Sequence, residues 1–539
     1  MPSLSMDLPL TIPAILRRLR THFGDKTVVS RRGEGALHQT TYRQMLERSA
    51  KLAGALRQLG IDAGDRVATL CWNHDRHLEA YYAVPAMGAV LHTLNLRLHA
   101  DELAFIASDA GDRILIVDDD LLPLAQSFLA RTPIETVIVV GTTDAPVPAG
   151  MRDYEGVLAA AAPMALETEV EETSAAAMCY TSGTTGRSKG VVYSHRAVAL
   201  HSLTLGLADN FGLREADTVM PVVPMFHANA WGLPYGAAIV GANLVLPGRQ
   251  LDARSLRELL GSQRVSFTAG VPTVWNSLLQ LLDAEPGVVD LSSIRAMLVG
   301  GAAVPESLLR GFGERHAIEI IHAWGMTELA PLGTIARVPT RLANASLEAR
   351  YRYRATQGTP APFIEIRARS EAGLIPWDGE AMGELEVRGP WVAAGYHGAG
   401  IGAAAFTDDG WFRTGDIVAI DPFGGIEIRD RAKDLVKSGG EWISSVELEK
   451  RLMDHPDVLE AAVIAVPHPR WQERPFAAVV LKEARATAPE VLLAWVADGV
   501  PRWWVPDALV FIDAIPRTST GKFLKSALRE RYQGWYTSA

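Results

Sequence analysis

A loop at residues 181–190 constrains this sequence most, because it is rich in glycine and hydroxyl side chains and lies between two apolar segments. Residues 175–180 before it and Val191 to Tyr193 after it predict strands. We therefore expect a turn between two strands, with a helix beginning near His195. Glycines let several N–H groups point at one anion, and a lysine adds charge. The residues predicted to hold phosphate groups are Thr181, Ser182, Gly183, Thr184, Thr185, Gly186 and Lys189.

The loop differs from a Walker A motif, in which the lysine precedes Ser or Thr and the chain runs from a strand into a helix. Here Gly190 follows Lys189, and the next segment is strand-like. A flexible surface linker is the alternative interpretation, since Ser, Thr and Gly favour turns. Linkers rarely connect two apolar strands, which favours the phosphate loop.

Composition narrows the class of protein. The 539 residues are too many for one core and predict several structural units. The net charge of −10 argues against a nucleic-acid partner, whose phosphates need a basic surface. Only Cys71 and Cys179 occur, which fits a reducing compartment and predicts a cytoplasmic protein. The first residues lack the basic start and long apolar run of a signal peptide.

One long stretch, residues 218–248, has no Asp, Glu, Lys or Arg and has to be tested as a membrane span. It contains Pro221, Pro224, Pro234 and Asn243, which suit a lipid-embedded helix poorly. The sequence therefore predicts no transmembrane segment, and a buried strand–turn–helix lining an apolar cavity instead.

Short apolar segments alternate with helical patterns over most of the chain, which predicts an α/β fold with mostly parallel sheets. The character changes after about Gly383, where hairpin strands precede a compact α+β set of about 100 residues. Between them lies a charged run, residues 430–434. This run is either a hinge or an ordinary solvated turn, and the pattern alone leaves both open.

Five segments together resemble the adenylate-forming superfamily of acyl-CoA synthetases, peptide-synthetase adenylation domains and beetle luciferases. They are residues 181–190, 324–328, 411–416, 430–434 and 516–522. Residues 224–231 and 437–445 resemble most closely the medium- and long-chain fatty acyl-CoA synthetases.

The resemblance implies a fold, an activity and its partners. It implies a large N-terminal domain, residues 1–429, with α/β layers and a small β-barrel-like part, and a mobile α+β lid domain at 435–539. The hinge between them is 430–434. The implied enzyme joins a fatty acid to CoA through an acyl-adenylate, with ATP, Mg²⁺ and CoA. The implied partners are these small molecules and a second copy of the chain in a homodimer; peripheral membrane contact is left open.

The resemblance also implies roles for individual residues. Lys522 bridges the acid and the α-phosphate, and Glu328, with Thr181 as second choice, binds Mg²⁺. Thr327 and His227 complete the catalytic set. Asp416 and Arg431 contact the ribose or phosphates. The remaining nucleotide and CoA contacts are Gly301, Ala302, His322, Ala323, Trp324, Gly325, Met326, Lys433, Lys437, Ser438, Gly439, Gly440 and Trp442.

The acid is expected to bind among His227, Trp231, Gly232, Val299, Gly300 and Gly301. No charged side chain stands in these segments to hold an amino-acid ammonium group, which favours an apolar acid. Trp231 is either a gate to an acyl tunnel or a core residue. Trp324 replaces the Tyr that is usual in the family, and its indole still offers a stacking face.

Other activities stay open at this point. The chain could be an aryl- or short substituted-acid CoA ligase, or an adenylating enzyme that loads a carrier protein. A non-catalytic acyl-nucleotide binding protein is the alternative outside the enzymes, and the presence of Lys522, Glu328 and Asp416 counts against it.

Overall fold

The computed structural model describes residues 6–33, 35–141, 146–167, 169–181, 187–398, 402–439, 441–483, 485–517 and 523–536. The contacts divide the chain into two compact units. The larger comprises Met1–Thr181, Ser188–Glu365 and Arg388–Phe406, and the smaller comprises Ser182–Arg187, Ile366–Val387 and Thr407–Ala539.

The larger unit contains two sheets. The first sheet has nine strands within the described residues. Its inner pairs are parallel, and antiparallel strands occur only towards its two edges. In spatial order the strands are Thr359–Pro360, Leu332–Ala336, Glu319–Gly325, Ala296–Val299, Phe267–Gly270, Thr218–Pro221, Asn243–Leu246, Thr27–Arg32 and Ala36–Thr41.

The second sheet has seven strands within the described ranges and is parallel except for its last pair. In spatial order these are Arg152–Asp153, Thr136–Val140, Asp112–Asp118, Arg66–Leu70, Val90–Thr93, Ala175–Tyr180 and Gly190–Ser194.

Helices cover these sheets, and several begin at a polar residue that caps the first turn. Ser194 and Asp252 accept backbone N–H bonds from Ala197 and Ser255, which satisfies amides that a helix start leaves free. The helices are Ile12–Phe23, Tyr42–Gln58, Asp75–Ala86, Ala100–Ala110, Leu122–Leu129, Tyr154–Ala160, His195–Thr204, Leu233–Val240, Ala253–Ser262, Pro272–Ala284, Glu306–Arg310 and Leu347–Ala355.

The smaller unit joins a five-stranded sheet to an α+β region. The five-stranded sheet runs in the order Gly373–Leu374, Glu365–Ser370, Gly383–Arg388, Phe412–Ile420 and Ile426–Arg431. The α+β region has a sheet in the order Glu441–Ile443, Val436–Ser438, Gln472–Leu481 and Val458–His468, with Ala508–Phe511 also paired to Gln472–Leu481. Its helices are Ser445–Met453, Pro489–Ala497 and Lys525–Tyr532.

The strand Val458–His468 is buried on both faces, so its side chains feed two separate cores. Ala461 and Val463 pack with Leu448 and Leu492 on one face. Ile464 packs with Leu528, from the last helix, on the other. Successive side chains of a strand point to opposite faces, which accounts for this alternation in an unbroken apolar run.

The α/β prediction is confirmed, with parallel sheets in the larger unit and a smaller α+β region after it. The uncharged stretch folds as predicted into a strand, Thr218–Pro221, a turn and the helix Leu233–Val240. No described helix has the length and apolar character needed to cross a bilayer. The division at residues 1–429, 430–434 and 435–539 stays a prediction, because the smaller contact unit also takes in the five-stranded sheet.

Candidate active site

The predicted phosphate loop connects the two strands of an antiparallel hairpin. Tyr180 pairs with Gly190 at the ends of its strands. Thr181 closes the loop, since its N–H donates to Lys189 O (3.0 Å) and its Oγ1 accepts from Lys189 N (3.1 Å). The predicted turn between two strands and the helix at His195 are thus confirmed. Ser182, Gly183, Thr184, Thr185 and Gly186 lie outside the described residues.

Glu328 is held in a fixed orientation inside the larger unit. It lies in the short helix Thr327–Leu329 and is 6% exposed. The hydroxyl of Tyr396 donates to Glu328 Oε1 at 2.6 Å. Burial, followed by the charge of Glu328, raises the pKa of Tyr396, so this hydroxyl keeps its proton and remains a donor.

Two tyrosines connect Glu328 to the hairpin. Tyr193, on the strand after the loop, donates its hydroxyl to Thr327 O at 2.7 Å. The Lys189 ammonium lies 4.8 Å from the centroid of the Tyr396 ring, within the range of a cation–π contact. The predicted residues Thr181, Lys189, Thr327 and Glu328 therefore belong to one connected group. Neither Tyr193 nor Tyr396 carries a sequence signal that could have revealed this role.

The oxygen donors of this group match the ligands that Mg²⁺ prefers, because a carboxylate and a hydroxyl are hard ligands. Tyr396 engages one Glu328 oxygen, and the second oxygen is the one suited to an ion. Glu328 and Thr181 therefore fit the predicted metal role in donor chemistry.

A different cluster, Cys71, His74 and Asp118, brings three metal-type side chains within 4.8 Å. His74 Nδ1 accepts from the backbone N–H of His77 (3.2 Å), so the proton of the ring lies on Nε2, which donates to Asp118 (2.7 Å). This bonding uses both ring nitrogens and leaves no lone pair for an ion. His74 instead caps the helix Asp75–Ala86.

Trp324 is the last residue but one of the strand Glu319–Gly325 and is 7% exposed. A Cβ at Gly333 would lie 2.4 Å from the Trp324 ring, so the glycine allows the indole to lie directly on the neighbouring strand. Gly300 approaches the same strand, since a Cβ there would lie 2.7 Å from Ala323 O. Burial lowers the pKa of His322 to about 4, which keeps this imidazole neutral.

Trp231 lies in a left-handed turn. Ala228, Asn229, Ala230 and Trp231 have φ values of 41°, 53°, 50° and 54°, and Gly232 follows at 74°. A left-handed conformation costs roughly 1–2 kcal/mol for a residue such as alanine or tryptophan, so this turn is strained.

The Trp231 indole lies over two glycines of the predicted acid-binding set. Ideal Cβ positions at Gly300 and Gly301 lie 3.6 and 3.7 Å from the indole ring. Trp231 is 8% exposed and Val299 is fully buried, whereas Ala302 is exposed and His227 is partly buried. The structure thus brings Trp231 together with Gly300 and Gly301, and Gly300 with Ala323, whereas Gly232 packs against His201.

Asp416 and Arg431 are direct neighbours in the smaller unit. They face each other on adjacent strands, and Arg431 Nε lies 2.6 Å from Asp416 Oδ1. Asp416 is 1% exposed. Gly415 before it has φ 73°, which glycine adopts without strain.

The predicted CoA-contacting segment forms a second hairpin in this unit. Lys437 pairs with Trp442, and Ser438 Oγ accepts from Arg474 at 3.2 Å. Gly439 has φ 61°, and its N–H donates to Trp471 O at 2.9 Å. Lys433 and Lys437 are exposed, whereas Gly440 and Lys522 lie outside the described residues.

Comparison with known proteins agrees with this arrangement. The family model of the AMP-binding enzymes matches residues 16–397, and the model of the AMP-binding enzyme C-terminal domain matches residues 447–522. The chain belongs to the AMP-binding enzyme family. The resemblance predicted from the five motifs is therefore confirmed.

Among similar proteins is a long-chain-fatty-acid–CoA ligase of Thermus thermophilus, 48% identical over 100% of this chain and 98% of the relative. A medium-chain-fatty-acid–CoA ligase of Ectopseudomonas oleovorans is 41% identical over 97% of this chain and 96% of its own length. A 3-methylmercaptopropionyl-CoA ligase of Ruegeria pomeroyi is 40% identical over 97% of this chain and 98% of that protein.

Solved structures give the same fold. ATP-bound MatB of Rhodopseudomonas palustris aligns with a TM-score of 0.84 at 26% identity, over 98% of this chain and 100% of MatB. A benzoate CoA ligase of Burkholderia xenovorans aligns with a TM-score of 0.82 at 26% identity, over 96% and 99% of the two chains. Acyl-CoA ligases of this family use ATP, Mg²⁺ and CoA.

Proposed function

We propose that the protein is an AMP-forming ligase that joins a medium- or long-chain fatty acid to CoA. In the first step a carboxylate oxygen of the acid bonds to the α-phosphorus of ATP, and pyrophosphate leaves. In the second, the CoA thiolate bonds to the acyl carbon, and AMP leaves with the electrons of the broken C–O bond. The observation that carries the proposal is the Tyr396–Glu328 contact, joined through Thr327 and Tyr193 to the phosphate-loop hairpin.

Residues of the larger unit supply the phosphate and metal contacts in this proposal. Glu328 and Thr181 hold Mg²⁺, which offsets the negative charge of the phosphates and binds through oxygen. Thr181 to Gly186 and Lys189 hold the β- and γ-phosphates. Trp324 offers its indole to adenine, and Tyr396 keeps Glu328 oriented, since its hydroxyl donates to one carboxylate oxygen. Because both steps concentrate negative charge, these contacts act mainly by electrostatic stabilisation.

The family resemblance assigns further contacts with the nucleotide to Asp416, Arg431 and Lys522. Asp416 accepts hydrogen bonds from the ribose, and Arg431, which already pairs with it, adds a second contact. Lys522 bridges the acid carboxylate and the α-phosphate during the first step. Lys433 and the hairpin of Lys437 and Trp442 act on the nucleotide and on CoA. A rotation about 430–434 between the two steps replaces Lys522 by the hairpin of Lys437 and Trp442.

The acid lies in an apolar tunnel behind Trp231. The support is the position of the Trp231 indole over Gly300 and Gly301, and the strained turn that carries it. Because the two glycines have no side chains, movement of the indole away from them would open a space for the acid. His227 stands at the start of this turn, where a contact with the acid carboxylate is proposed.

A second substrate class has a specific observation in its favour. A 3-methylmercaptopropionyl-CoA ligase is 40% identical to this chain, almost as similar as the medium-chain ligase at 41%. A short thioether acid is therefore the alternative substrate. Aryl acids, carrier-protein loading and binding without catalysis are the remaining alternatives.

Release of AMP dependent on CoA tests the proposal. Straight acids of short, medium and long chain are compared with 3-methylmercaptopropionate and with benzoate. The proposal predicts the highest kcat/KM for a straight acid of medium or long chain. If the highest kcat/KM were found for 3-methylmercaptopropionate, the short thioether acid would be the substrate instead. Absence of pyrophosphate exchange with every acid would indicate a binding protein.

We also propose a cytoplasmic homodimer that associates through the N-terminal domain. The low cysteine content supports a reducing compartment. The family resemblance implies that the dimer forms through this domain. Light scattering with sedimentation velocity measures the oligomeric state, and a monomer at working concentrations would contradict the proposal.

A further inference from the structure

A cavity in the larger unit lies at the carboxyl ends of parallel strands from both sheets, and the proposed function gives it no role. The residues that line it end or follow five strands, which are Arg66–Leu70, Asp112–Asp118, Thr136–Val140, Thr27–Arg32 and Asn243–Leu246. The first three belong to the seven-stranded sheet and the last two to the nine-stranded sheet. The cavity therefore opens where strand ends of the two sheets meet.

The seven-stranded sheet changes its winding direction at this cavity. Arg66–Leu70 and Asp112–Asp118 are parallel neighbours. The chain runs from the first to Val90–Thr93 on one side, and from the second to Thr136–Val140 on the other. Connections that diverge from adjacent strands leave a crevice, and open α/β sheets bind ligands in such a crevice.

The nine-stranded sheet has a crevice of the same kind. Thr218–Pro221 and Phe267–Gly270 are parallel neighbours, and the chain leaves them in opposite directions. The turn of Trp231, in the proposed acid site, follows the first of these strands. The proposed function thus uses one of the two crevices and leaves the other for a different ligand.

Cations outnumber carboxylates in the lining of the unassigned cavity. Its arginines and carboxylates, among the described residues, are Arg31, Arg32, Arg76, Arg249, Asp118 and Asp120. Arg32 and Arg76 both pair with Asp75. Arg249 pairs with Asp120 at 3.1 Å. The remaining cation is Arg31.

Arg31 forms no ion pair with a carboxylate of the described ranges, although it is only 9% exposed. Its Nη1 donates to Ser255 O at 3.2 Å, and its Nε has no partner in the same part of the chain. Burial lowers the pKa of Arg31, and the charges of Glu258 and Asp252 offset this only in part. Arginine nevertheless stays charged in proteins, so a buried guanidinium of this kind favours an anion beside it.

Asp120 supplies an acceptor that lacks a donor. Its Oδ2 accepts from Trp72 Nε1 at 3.2 Å and from Arg249 at 3.1 Å, whereas its Oδ1 is buried and has no partner among the described residues. Burial, followed by the charge of Asp118, raises the pKa of Asp120, which favours a shared proton. A ligand that suits both groups needs oxygens for Arg31 and a proton for Asp120.

The walls of the cavity are fixed by Asn73, which lies between the lining residues Trp72 and His74. Asn73 Nδ2 donates to Pro221 O and Val223 O, at 2.9 and 3.0 Å. The N–H of Gly248, another lining residue, donates to Asn73 O at 2.9 Å. These bonds join the two sheets beside the cavity, so a ligand meets groups that are already in position.

We propose that this cavity binds hydrogen phosphate. The phosphate oxygens accept from the Arg31 guanidinium, and the phosphate O–H donates to Asp120 Oδ1. Sulfate has a similar shape and charge but carries no proton near neutral pH, so it would leave the Asp120 oxygen facing an anion. None of the lining residues belongs to the predicted phosphate loop at 181–190.

Calorimetric titration of the full-length protein with inorganic phosphate and with sulfate measures this binding. A non-hydrolysable ATP analogue is present at saturation, so that the predicted phosphate loop is occupied. We expect one phosphate per chain, bound at least about 10-fold more tightly than sulfate, because a buried polar group rejects an analogue that leaves it unpaired. Equal affinities for the two anions, or no binding of phosphate, would overturn the proposal.

Two arginine variants test the cationic side of the site. Arg31→Met should weaken phosphate binding by about 10- to 100-fold, the scale of a hydrogen bond to a charged group. Arg249→Met should weaken it less and keeps the test valid if Arg31→Met fails to fold, since Arg249 is exposed. Arg254→Met is the matched control, because this exposed arginine pairs with Glu285 outside the cavity and its loss should change nothing. Wild-type affinity in both cavity variants would contradict the assignment.

Asp120→Asn tests the proton. The carbonyl of the new amide can keep the bonds from Trp72 and Arg249, and its N–H₂ group then stands where Oδ1 lacks a donor. An N–H donates to sulfate as well as to phosphate, so the preference for phosphate should fall below about threefold. A preference as large as that of the wild type would exclude the bond between phosphate and Asp120.

Arsenate locates the site directly, since it retains a proton as phosphate does and scatters X-rays anomalously. Crystals of the full-length protein soaked in arsenate should show an anomalous peak between Arg31 and Asp120. A peak confined to residues 181–190 would show that the anion binds in the predicted phosphate loop and not in this cavity.

Discussion

The Arg431 guanidinium lies 2.6 Å from the Asp416 carboxylate on the adjacent strand, so the two residues predicted to contact the nucleotide sugar form an ion pair with each other. This contact orients the Asp416 oxygens before any ligand arrives.

Asp416→Ala should raise the KM for ATP by about 10- to 100-fold, since a hydrogen bond to a charged group contributes about 1.5–3 kcal/mol. Both half-reactions should slow, because the ribose stays bound throughout. Steady-state kinetics in ATP and rates with supplied acyl-adenylate measure this. Asp409→Ala, which removes an exposed carboxylate paired with Arg367, is the control; wild-type kinetics for Asp416→Ala would remove it from the site.

The Tyr396 hydroxyl leads to a prediction about the metal. Tyr396→Phe deletes the donor to Glu328 Oε1 and leaves the ring that Lys189 faces. Partners that orient a metal ligand typically contribute 10- to 100-fold in affinity, by the order of magnitude seen for such contacts. We expect the Mg²⁺ concentration for half-maximal activity to rise by about 10-fold, with little change in the KM for the acid. An unchanged Mg²⁺ requirement would show that this contact does not orient a metal ligand.

Much of the fold could be predicted because its signals are local. The strand Ala175–Tyr180 has the bounds that the pattern predicts, and a helix begins at His195 as expected. An apolar run marks the strand, and Ser194 marks the helix by capping it. Such signals depend on residues within one turn or one strand.

The contacts that orient the site could not be predicted from the sequence. Glu328 and Tyr396 are 68 residues apart, and no local pattern relates them. Ala228 to Trp231 adopt positive φ although none is glycine, because tertiary packing overrides their preference. Lys525 looks like a solvated helix residue in the sequence, and only the folded chain surrounds it with carboxylates.

Lys522→Ala should abolish adenylate formation and leave thioester formation from supplied acyl-adenylate largely intact. Loss of a well-placed charge in a dry site costs on the order of 3–4 kcal/mol of barrier, or roughly 10²- to 10³-fold in rate. The two half-reactions are measured separately, with the exposed Lys450→Ala as control. Equal loss in both would contradict the expected presence of Lys522 in a single arrangement of the lid domain.

The variant Trp231→Ala shows whether Trp231 is a gate to an acyl tunnel or a core residue. A gate that opens with ATP should, when truncated, let acids bind almost independently of nucleotide. Coupling of about 1–3 kcal/mol, a roughly 5- to 150-fold change in acid affinity, is the usual scale. Acid affinity is measured with and without a non-hydrolysable ATP analogue. Trp275→Ala is the control, because this indole is fully buried in the core of the nine-stranded sheet and should destabilise the fold by about 3–5 kcal/mol without changing the coupling. A Trp231→Ala protein that melts early yet keeps full coupling would identify Trp231 as core.

Glu449 gives the pH dependence of stability a definite sign. Burial raises the pKa of Glu449 to about 7 in the folded protein, although Lys525 opposes the shift, and the usual value is 4.5. Between pH 4.5 and 7 the folded chain therefore holds a proton on Glu449 that the unfolded chain has released. Unfolding releases this proton, so the contribution of Glu449 to stability is greatest below pH 4.5, falls as the pH rises, and is constant above 7. Lys525 stays charged across this window and adds no slope.

Glu449→Gln removes the titration and keeps an oxygen acceptor for the N–H of Val463, which bonds to Glu449 Oε1 at 2.7 Å. The free energy of unfolding is measured by urea at several pH values for both proteins, so that the titration of other groups cancels in the difference. Wild type relative to the variant should lose on the order of 3 kcal/mol between the two pKa values, at about 1.4 kcal/mol per unit. The same experiment on Glu530→Gln, an exposed position of the last helix, should give no pH-dependent difference. A flat difference for Glu449→Gln would mean that this carboxylate is already ionised near its usual pKa, and that the cluster around Lys525 carries a full negative charge at neutral pH.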